Sequence, residues 1–210
     1  MTGAPSSGTS GPLRVLFVCT ANISRSPYAE RRARHVLEAF DVDFASAGVP
    51  GYPGRRMDPA MAALLRERGG TDEGHVSRSV DDSVVGESDL VLTFEFGQHM
   101  RLLEGFPGHR GKIMGFGQLV AAASRWGEPP PEVTAVEDLT RKVLLAAGPN
   151  SMSFDVEDPY QQGERAARAC ADQIDTGLNA FLPVLAGGDV PRLTSPVSEQ
   201  RAARRWPWSR

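Results

Sequence analysis

Apolar residues change their period several times along the chain, and each change marks an element. Val15 to Val18 is an unbroken apolar run with β-branched residues at both ends, the pattern of a strand buried on both faces of a parallel sheet. Past Pro27, the residues Ala29, Ala33, Val36, Leu37 and Phe40 keep helical spacing, while Glu30, Arg31, Arg32, Arg34 and Glu38 take the other face. That pattern predicts a helix packed on the sheet with its arginine run solvated. Val42 to Ala47 reads as a second strand ended by Gly48, and Pro50 to Arg56, with two prolines and two glycines, reads as a loop. Asp58-Pro59 is a helix cap followed by proline at the first helical position. Met61, Leu64 and Leu65 form that helix's buried stripe before Gly69-Gly70 stops it. Leu90 to Thr93 is a third buried strand, Phe96 to Leu103 a short helix and Lys112 to Phe116 a fourth strand. The final helix runs from Glu164 to Leu185 with Ala167, Cys170, Ile174, Leu178, Phe181, Leu182 and Leu185 on one face. Strands alternating with helices predict an α/β fold: a four-stranded open parallel sheet with helices on both faces. Ligands bind such sheets at the carboxyl ends of the strands.

Length fits a single domain with added segments, since 210 residues bury one substantial core. We expect the domain over residues 13–186. Residues 1–12, rich in Gly, Ser, Thr and Pro, have no charged or apolar region of a signal peptide and read as a disordered leader. Residues 187–210 read as a flexible tail with five arginines and the aromatic pair Trp206 and Trp208, a weak candidate for contact with a partner or an anionic membrane. A net charge of -3 and the lack of a basic face interleaved with aromatics argue against nucleic acid as partner. No apolar run reaches membrane-spanning length, so no integral membrane segment is expected. Two cysteines in all suit a reducing compartment, the cytoplasm, and exclude a disulfide scaffold or a cysteine-based metal site; no cofactor or metal is expected.

The candidate chemistry lies at the end of the first strand. Cys19 closes the strand, Arg25 stands six positions on, Ser26 follows, and Pro27 sits where a helix begins. Backbone N–H groups of Thr20, Ala21, Asn22, Ile23, Ser24, Arg25 and Ser26 can curl around a phosphate, helped by the positive end of the helix behind them. Arg25 adds a planar fork that matches two phosphate oxygens. The same dipoles, the guanidinium and the Ser26 hydroxyl favour the thiolate of Cys19, so one loop both activates a nucleophile and holds the group it attacks. A strand-end cysteine on its own is more often an inert core residue; the spacing to Arg25, Ser26 and Pro27 reverses that reading.

The stretch Cys19 to Pro27, with Asp158-Pro159-Tyr160 far downstream, resembles the low-molecular-weight protein-tyrosine phosphatases over Leu13 to Leu185. The chain is identified as a bacterial-type member with an insertion, 117–154, before the loop that carries the acid. The resemblance implies the strand order 2-1-3-4 and hydrolysis of phosphotyrosine or another aryl phosphate, on a protein or a small molecule, through a cysteinyl-phosphate. It implies that Cys19 is the nucleophile, Arg25 the phosphate clamp and Asp158 the general acid and then base. It also implies that Ser46 and His75 support Asn22 in an uncommon backbone conformation, and that Tyr52 and Tyr160 form the substrate rim. The inserted segment holds Leu119-Val120, Trp126, the Pro129-Pro130-Pro131 break and a helical stretch around Val136, Leu139, Val143 and Leu144. Its ends adjoin catalytic elements, so it is expected near the cleft, capping the site, choosing substrates or covering sheet edge.

Several positions depart from the family pattern. Ala21 stands where glycine is common, which tightens the loop if a positive φ is needed there. Ser24 replaces a second cysteine, so no disulfide with an adjacent residue can protect Cys19. Gln161 stands where a second aromatic is frequent, and Phe94-Glu95 replaces methionine-aspartate, with no role assigned to Glu95. Two other functions compete. An arsenate reductase that relays a disulfide needs further cysteines, and Cys170 reads as core, which leaves the type that uses an external small thiol. The other is a non-catalytic phosphate-binding interaction module. Sugar-transport phosphocarriers need neither Arg25 nor an acid.

Overall fold

The apolar run at 15–18 becomes the middle of β1, Leu13–Cys19, in the computed structural model, which describes residues 12–127, 135–187 and 191–193. A strand buried on both faces needs partners on both edges. β1 pairs in parallel with β2, Val42–Gly48, on one side and with β3, Leu90–Thr93, on the other. β4, Ile113–Gly115, pairs with β3, so the parallel sheet has the expected order 2-1-3-4. Along β1 the side chains alternate between two cores. Val15, Phe17 and Cys19 join the larger one, which also draws on α1 (Arg25–Val36), α2 (Pro59–Glu67), α5 (Phe116–Ala123), α6 (Val136–Ala147) and α7 (Glu164–Ala186). Leu16 and Val18 join the smaller one under α3 (Asp82–Glu87) and α4 (Phe96–Gly105). A chain of rings fills the larger core: Phe17 stacks on Phe44 at 5.9 Å between centroids, Phe94 on Phe116 at 4.9 Å, and Phe116 meets Phe181 edge-on at 5.6 Å.

The structure corrects the sequence reading of α1 in three ways. The helix starts at Arg25, two residues ahead of Pro27, so Pro27 lies inside the first turn, where an N–H has no intrahelical partner. It ends at Val36, and Leu37 to Val42 turn back toward the sheet through Phe40 N to Leu37 O and Val42 N to Phe40 O, so Phe40 is not on the helix. The charged face is not solvated throughout: Arg32 is 1% exposed and Glu30 is 8% exposed. The six-residue helix α3, which the apolar pattern did not predict, rests on the Asp81 carboxylate accepting from Val84 N at 2.8 Å and on one buried residue, Val85. β4 is shorter than expected, because Phe116 already belongs to α5.

Within 117–154, α5 follows β4 directly, and α6 packs on α5 and on the 3-10 helix Pro107–Lys112 with Leu139 and Val143 buried. A 3-10 turn at Met152–Phe154 then leads back to the sheet, where Val156 N donates to Phe94 O at 2.8 Å. The leader through residue 11, the Pro129-Pro130-Pro131 break and the tail from residue 194, with Trp206 and Trp208, lie outside the described residues. Among the described residues no helix is long and apolar enough to cross a membrane.

Arg32 is buried because α7 brings Asp175 to it. The Asp175 carboxylate, 4% exposed, accepts from Arg32 Nε at 3.0 Å and Nη2 at 3.2 Å, from Arg68 Nη1 at 2.8 Å and from the Tyr28 hydroxyl at 3.2 Å. Arg68 reaches Asp172 as well, and Arg32 Nη1 donates to Arg68 O. Burial and then the Asp175 charge push the Tyr28 phenol well above its usual range. The cluster bolts α1, the end of α2 and α7 together. Removing the shared carboxylate leaves Arg32 buried without its counter-charge and Arg68 with Asp172 alone, which costs about 3–5 kcal/mol. Asp175→Ala is therefore expected to lower the unfolding free energy by about that amount in urea melts. Arg168→Ala, which breaks the exposed Arg168–Glu67 pair, is expected to change it by under about 1 kcal/mol.

Candidate active site

Cys19 ends β1 almost fully buried, and the chain from Thr20 to Ser24 loops from the carboxyl edge of the sheet into α1. Its Sγ lies 3.0 Å from Ser26 Oγ. Asn22 turns the loop at φ 57, in the left-handed region that asparagine tolerates better than most residues. Four hydrogen bonds hold it there. Its Nδ2 donates to Ser26 Oγ at 3.0 Å and to Ser46 Oγ at 2.8 Å, Arg78 N donates to its Oδ1 at 2.9 Å, and His75 Nε2 lies 2.8 Å from its carbonyl. Ser46 in turn donates to Glu30, which explains the burial of that carboxylate on α1. Ala21 is not at positive φ, so the methyl group expected to tighten the loop imposes no backbone strain. Glycine is required instead beside the loop, at Gly48, where a Cβ would lie 2.8 Å from Thr20 O, and at Gly51, where φ is 82 and a Cβ would lie 2.7 Å from Ser79 Cα. Ile23 and Ser24 are buried within the loop, and Ser24 Oγ has no hydrogen-bond partner.

Arg25 is buried and meets acids from two other loops. Its Nη1 donates to Glu95 Oε1 and, at 2.8 Å, to Val156 O; its Nη2 lies 3.0 Å from Asp158 Oδ2. Burial opposes the guanidinium charge, but Cys19, Asp158 and Glu95 outweigh it and hold the group protonated more firmly than usual. The remaining donor, Nε, is buried with no hydrogen-bond partner. Glu95 is itself fixed by Gln98, whose amide spans the site: Nε2 donates to Glu95 Oε2 at 3.0 Å and to Thr20 Oγ1 at 3.1 Å, while Oε1 accepts from Phe94 N and Glu95 N. Asp155, next to Val156, accepts from Phe96 N at 2.6 Å, and burial raises its carboxyl above the usual range.

The outer wall is built from two loops. Tyr52 is about half exposed on the loop after β2. Tyr160 follows Asp158, whose Oδ1 accepts from Tyr160 N at 3.3 Å, and Gln161 takes the chain onward at φ 60. Arg55 joins the loops, with Nη2 donating to the Tyr160 hydroxyl at 3.2 Å. The structure thus brings Cys19, Arg25, Ser26, Asn22, Ser46, His75 and Asp158 into one connected set. The sequence reading missed Glu95, Gln98, Glu30, Arg78 and Arg55. For Arg78 the signal was at hand, three residues after His75, and Glu95 with Gln98 carries the spacing of a capping box at the start of α4; Glu30 and Arg55 carry no such pattern toward Ser46 and Tyr160, which lie 16 and 105 residues away.

Cys170 lies in the same apolar core as Cys19, and burial pushes its thiol up to about 12. Both cysteines are free. Among the described residues no group of His, Cys, Asp and Glu could hold a metal ion.

Burial lowers the pKa of His75, although the Asn22 carbonyl and Glu30 favour its charge, and burial alone lowers that of His99, whose Nδ1 has no partner. The unfolded chain therefore binds these protons at higher pH, near 6.5, than the folded one. Stability is expected to be full above that value and to fall as pH drops through it toward the folded pKa values. Imidazole resonances of both residues should titrate with midpoints below about 6.5. Urea midpoints should decline from pH 6.5 downward, and less steeply in His75→Gln.

Comparison with known proteins gives the family. The family model described as low molecular weight phosphotyrosine protein phosphatase matches residues 14–144. The low molecular weight protein-tyrosine-phosphatase Wzb of Escherichia coli K12 is 37% identical over 103 residues, 49% of this chain and 69% of that protein. The probable low molecular weight protein-tyrosine-phosphatase EpsP of Ralstonia nicotianae is 23% identical over 169 residues, 80% of this chain and 93% of its own. Among solved structures, the tyrosine phosphatase AmsI of Erwinia amylovora superposes with a TM-score of 0.64 at 22% identity, covering 85% of this chain and 96% of its own. By the extent of the family match, this chain belongs to the low molecular weight protein-tyrosine phosphatases and is a phosphatase.

Proposed function

We propose that the chain hydrolyses phosphotyrosine in a protein substrate through a cysteinyl-phosphate on Cys19. The observation that carries this is the state of Arg25. One nitrogen, Nη1, is committed to Glu95 and Val156, which leaves Nε, buried and unpartnered, beside Nη2 as a two-pronged fork. A phosphoryl group supplies two oxygens at the spacing that fork requires. As one oxygen takes up Nη2, it displaces the Asp158 carboxylate, which then faces the leaving group. Amide N–H groups of Thr20 to Ser26 and the amino-terminal end of α1 supply the rest of the charge stabilisation.

In the first step Cys19 Sγ attacks phosphorus, the S–P bond forms and the P–O bond to the phenol breaks, and the Asp158 carboxyl gives its proton to the departing oxygen. In the second, water attacks phosphorus, gives a proton to Asp158, and the S–P bond breaks to free phosphate and the thiolate. Ser26 Oγ, 3.0 Å from the sulfur, stabilises the thiolate at both ends of the cycle. Tyr52 and Tyr160 flank the phenol ring. Ser46, His75 and Arg78 act through Asn22 to set the loop, and Glu95 with Gln98 sets Arg25. The α6 segment, seated on α5, serves to cover the β4 side of the fold. We place the enzyme in the cytoplasm, because a nucleophilic thiol needs a reducing compartment.

A disulfide relay, as in one class of arsenate reductase, finds no support: Cys170 is buried with its thiol pushed up to about 12, which suppresses the thiolate that attack requires.

Cys19→Ser is expected to abolish hydrolysis of p-nitrophenyl phosphate. Asp158→Ala is expected to lower kcat on phosphotyrosine by about 10²- to 10⁴-fold and to do so less on p-nitrophenyl phosphate, whose leaving group needs no proton. Glu95→Gln and Gln98→Leu should each cost about 10- to 100-fold in kcat/KM by loosening Arg25, with circular dichroism unchanged. Full turnover in Cys19→Ser would refute the reading.

A further inference from the structure

The rim of the cleft is braced by a residue that belongs to neither rim loop. Ser77, 2% exposed, makes four hydrogen bonds to the 52–55 segment. Its N–H donates to Arg55 O at 2.8 Å, its carbonyl accepts from Gly54 N at 2.9 Å, its hydroxyl donates to Tyr52 O at 2.6 Å, and the same hydroxyl accepts from Arg55 N at 2.8 Å. Two positions before Ser77 and one after it, the same stretch holds the Asn22 loop through His75 and Arg78. The rim loop is therefore rigidly indexed to the phosphate loop rather than free to adapt.

What this brace presents is a cation. Both the N–H and the carbonyl of Arg55 are tied to Ser77, and its guanidinium reaches across to Tyr160, with Nη2 3.2 Å from the hydroxyl and the central carbon 5.7 Å from the ring centroid. One of its donors is used there, which leaves others for a ligand. Residues 50–56 contain Arg55 and Arg56 and no acid. The acids deeper in the cleft, Glu95 and Asp158, are engaged by Arg25. Glu157 is exposed beside Asp158 and is the one acid of residues 156–160 that faces solvent without an assigned part in the reaction.

We propose that Arg55, positioned by Ser77, is a specificity-determining residue that reads an acidic side chain next to the phosphotyrosine, so that the substrates are acidic phosphotyrosine segments of proteins. The inference rests on the phosphatase reading above and adds the substrate class to it. A carboxylate placed one or two residues from the phosphotyrosine would meet the guanidinium where Arg55 joins the Tyr52 loop to Tyr160. The pairing is solvent-exposed, so it contributes a modest preference that salt weakens.

The test uses the full chain and two phosphotyrosine peptides that differ only in Glu or Gln at the positions flanking the phosphotyrosine. The readout is the ratio of kcat/KM for the Glu peptide to that for the Gln peptide, which cancels any general change in activity. The wild type is expected to favour the Glu peptide by about two- to fivefold at low salt, with the ratio falling toward one at high salt. Arg55→Gln should bring the ratio to about one and Arg55→Glu below it, while Ser77→Ala, which removes the two hydroxyl bonds and leaves the two backbone ones, should give a ratio between wild type and Arg55→Gln. A wild-type ratio of one or less, or a preference that survives Arg55→Gln, overturns the proposal while leaving the phosphatase reading intact. Failure of the wild type to hydrolyse either peptide while it turns over p-nitrophenyl phosphate also overturns it. Loss of all three activities overturns both.

Discussion

A buried guanidinium has to be matched by charge and by hydrogen bonds, and the layout of this protein follows from matching Arg25. Its side chain enters the core from the first turn of α1 and is met by Glu95 after β3, by the Val156 carbonyl on the returning chain and by Asp158 beyond it. Those partners come from segments far apart in the sequence, so the site exists only once β1, β3 and the 155–160 stretch are in place. The matching is incomplete at Nε and shared with Asp158 at Nη2, and these are the two donors that the proposed mechanism gives to phosphate. A fully satisfied arginine would be a structural residue; this one is satisfied on one edge only.

The loop around it is held by the same logic of forced partners. Asn22 in a left-handed conformation stores strain that persists only when the surroundings over-determine it, and four hydrogen bonds from three segments do so. Rigidity then extends in two directions. Toward the core, Glu30 and Arg32 on α1 are locked by Ser46 and Asp175, so the helix that follows the Cys19 loop is fixed against α7. Toward solvent, Ser77 transmits the position of the phosphate loop to the rim.

The sheet and most helices were legible because their signals are local: the run at 15–18, the Asp58-Pro59 cap and the stripe from Ala167 to Leu185 each declare an element without reference to anything distant. Boundaries slipped where backbone geometry, not side-chain pattern, sets the end, as at Arg25 and Val36. Arg32 was read as solvated because a charge on the polar face of a helix is indistinguishable in sequence from one that will meet Asp175, 143 residues on. The reach of Glu95 to Arg25, of Gln98 to Thr20 and of Ser77 to the 52–55 segment was invisible for the same reason: each is an ordinary polar residue until the fold delivers its distant partner. Asn22 takes the uncommon backbone conformation expected of it, and Ala21 before it needs none, since the turn uses a side chain that can itself be hydrogen-bonded.

The central claim is that phosphate passes through Cys19, and trapping that intermediate tests it most directly. Asp158→Asn keeps the loop but removes the base for the second step, so with p-nitrophenyl phosphate, whose leaving group needs no proton, the S–P bond should form faster than water breaks it. The variant would be mixed with this substrate, quenched in alkaline denaturant and digested for mass spectrometry. The account predicts one phosphoryl group on the peptide that contains Cys19 and none when Cys19→Ser is added. Release of nitrophenol with no phosphoryl group on that sulfur, or with the group on a neighbouring serine in the Asp158→Asn chain, would contradict it.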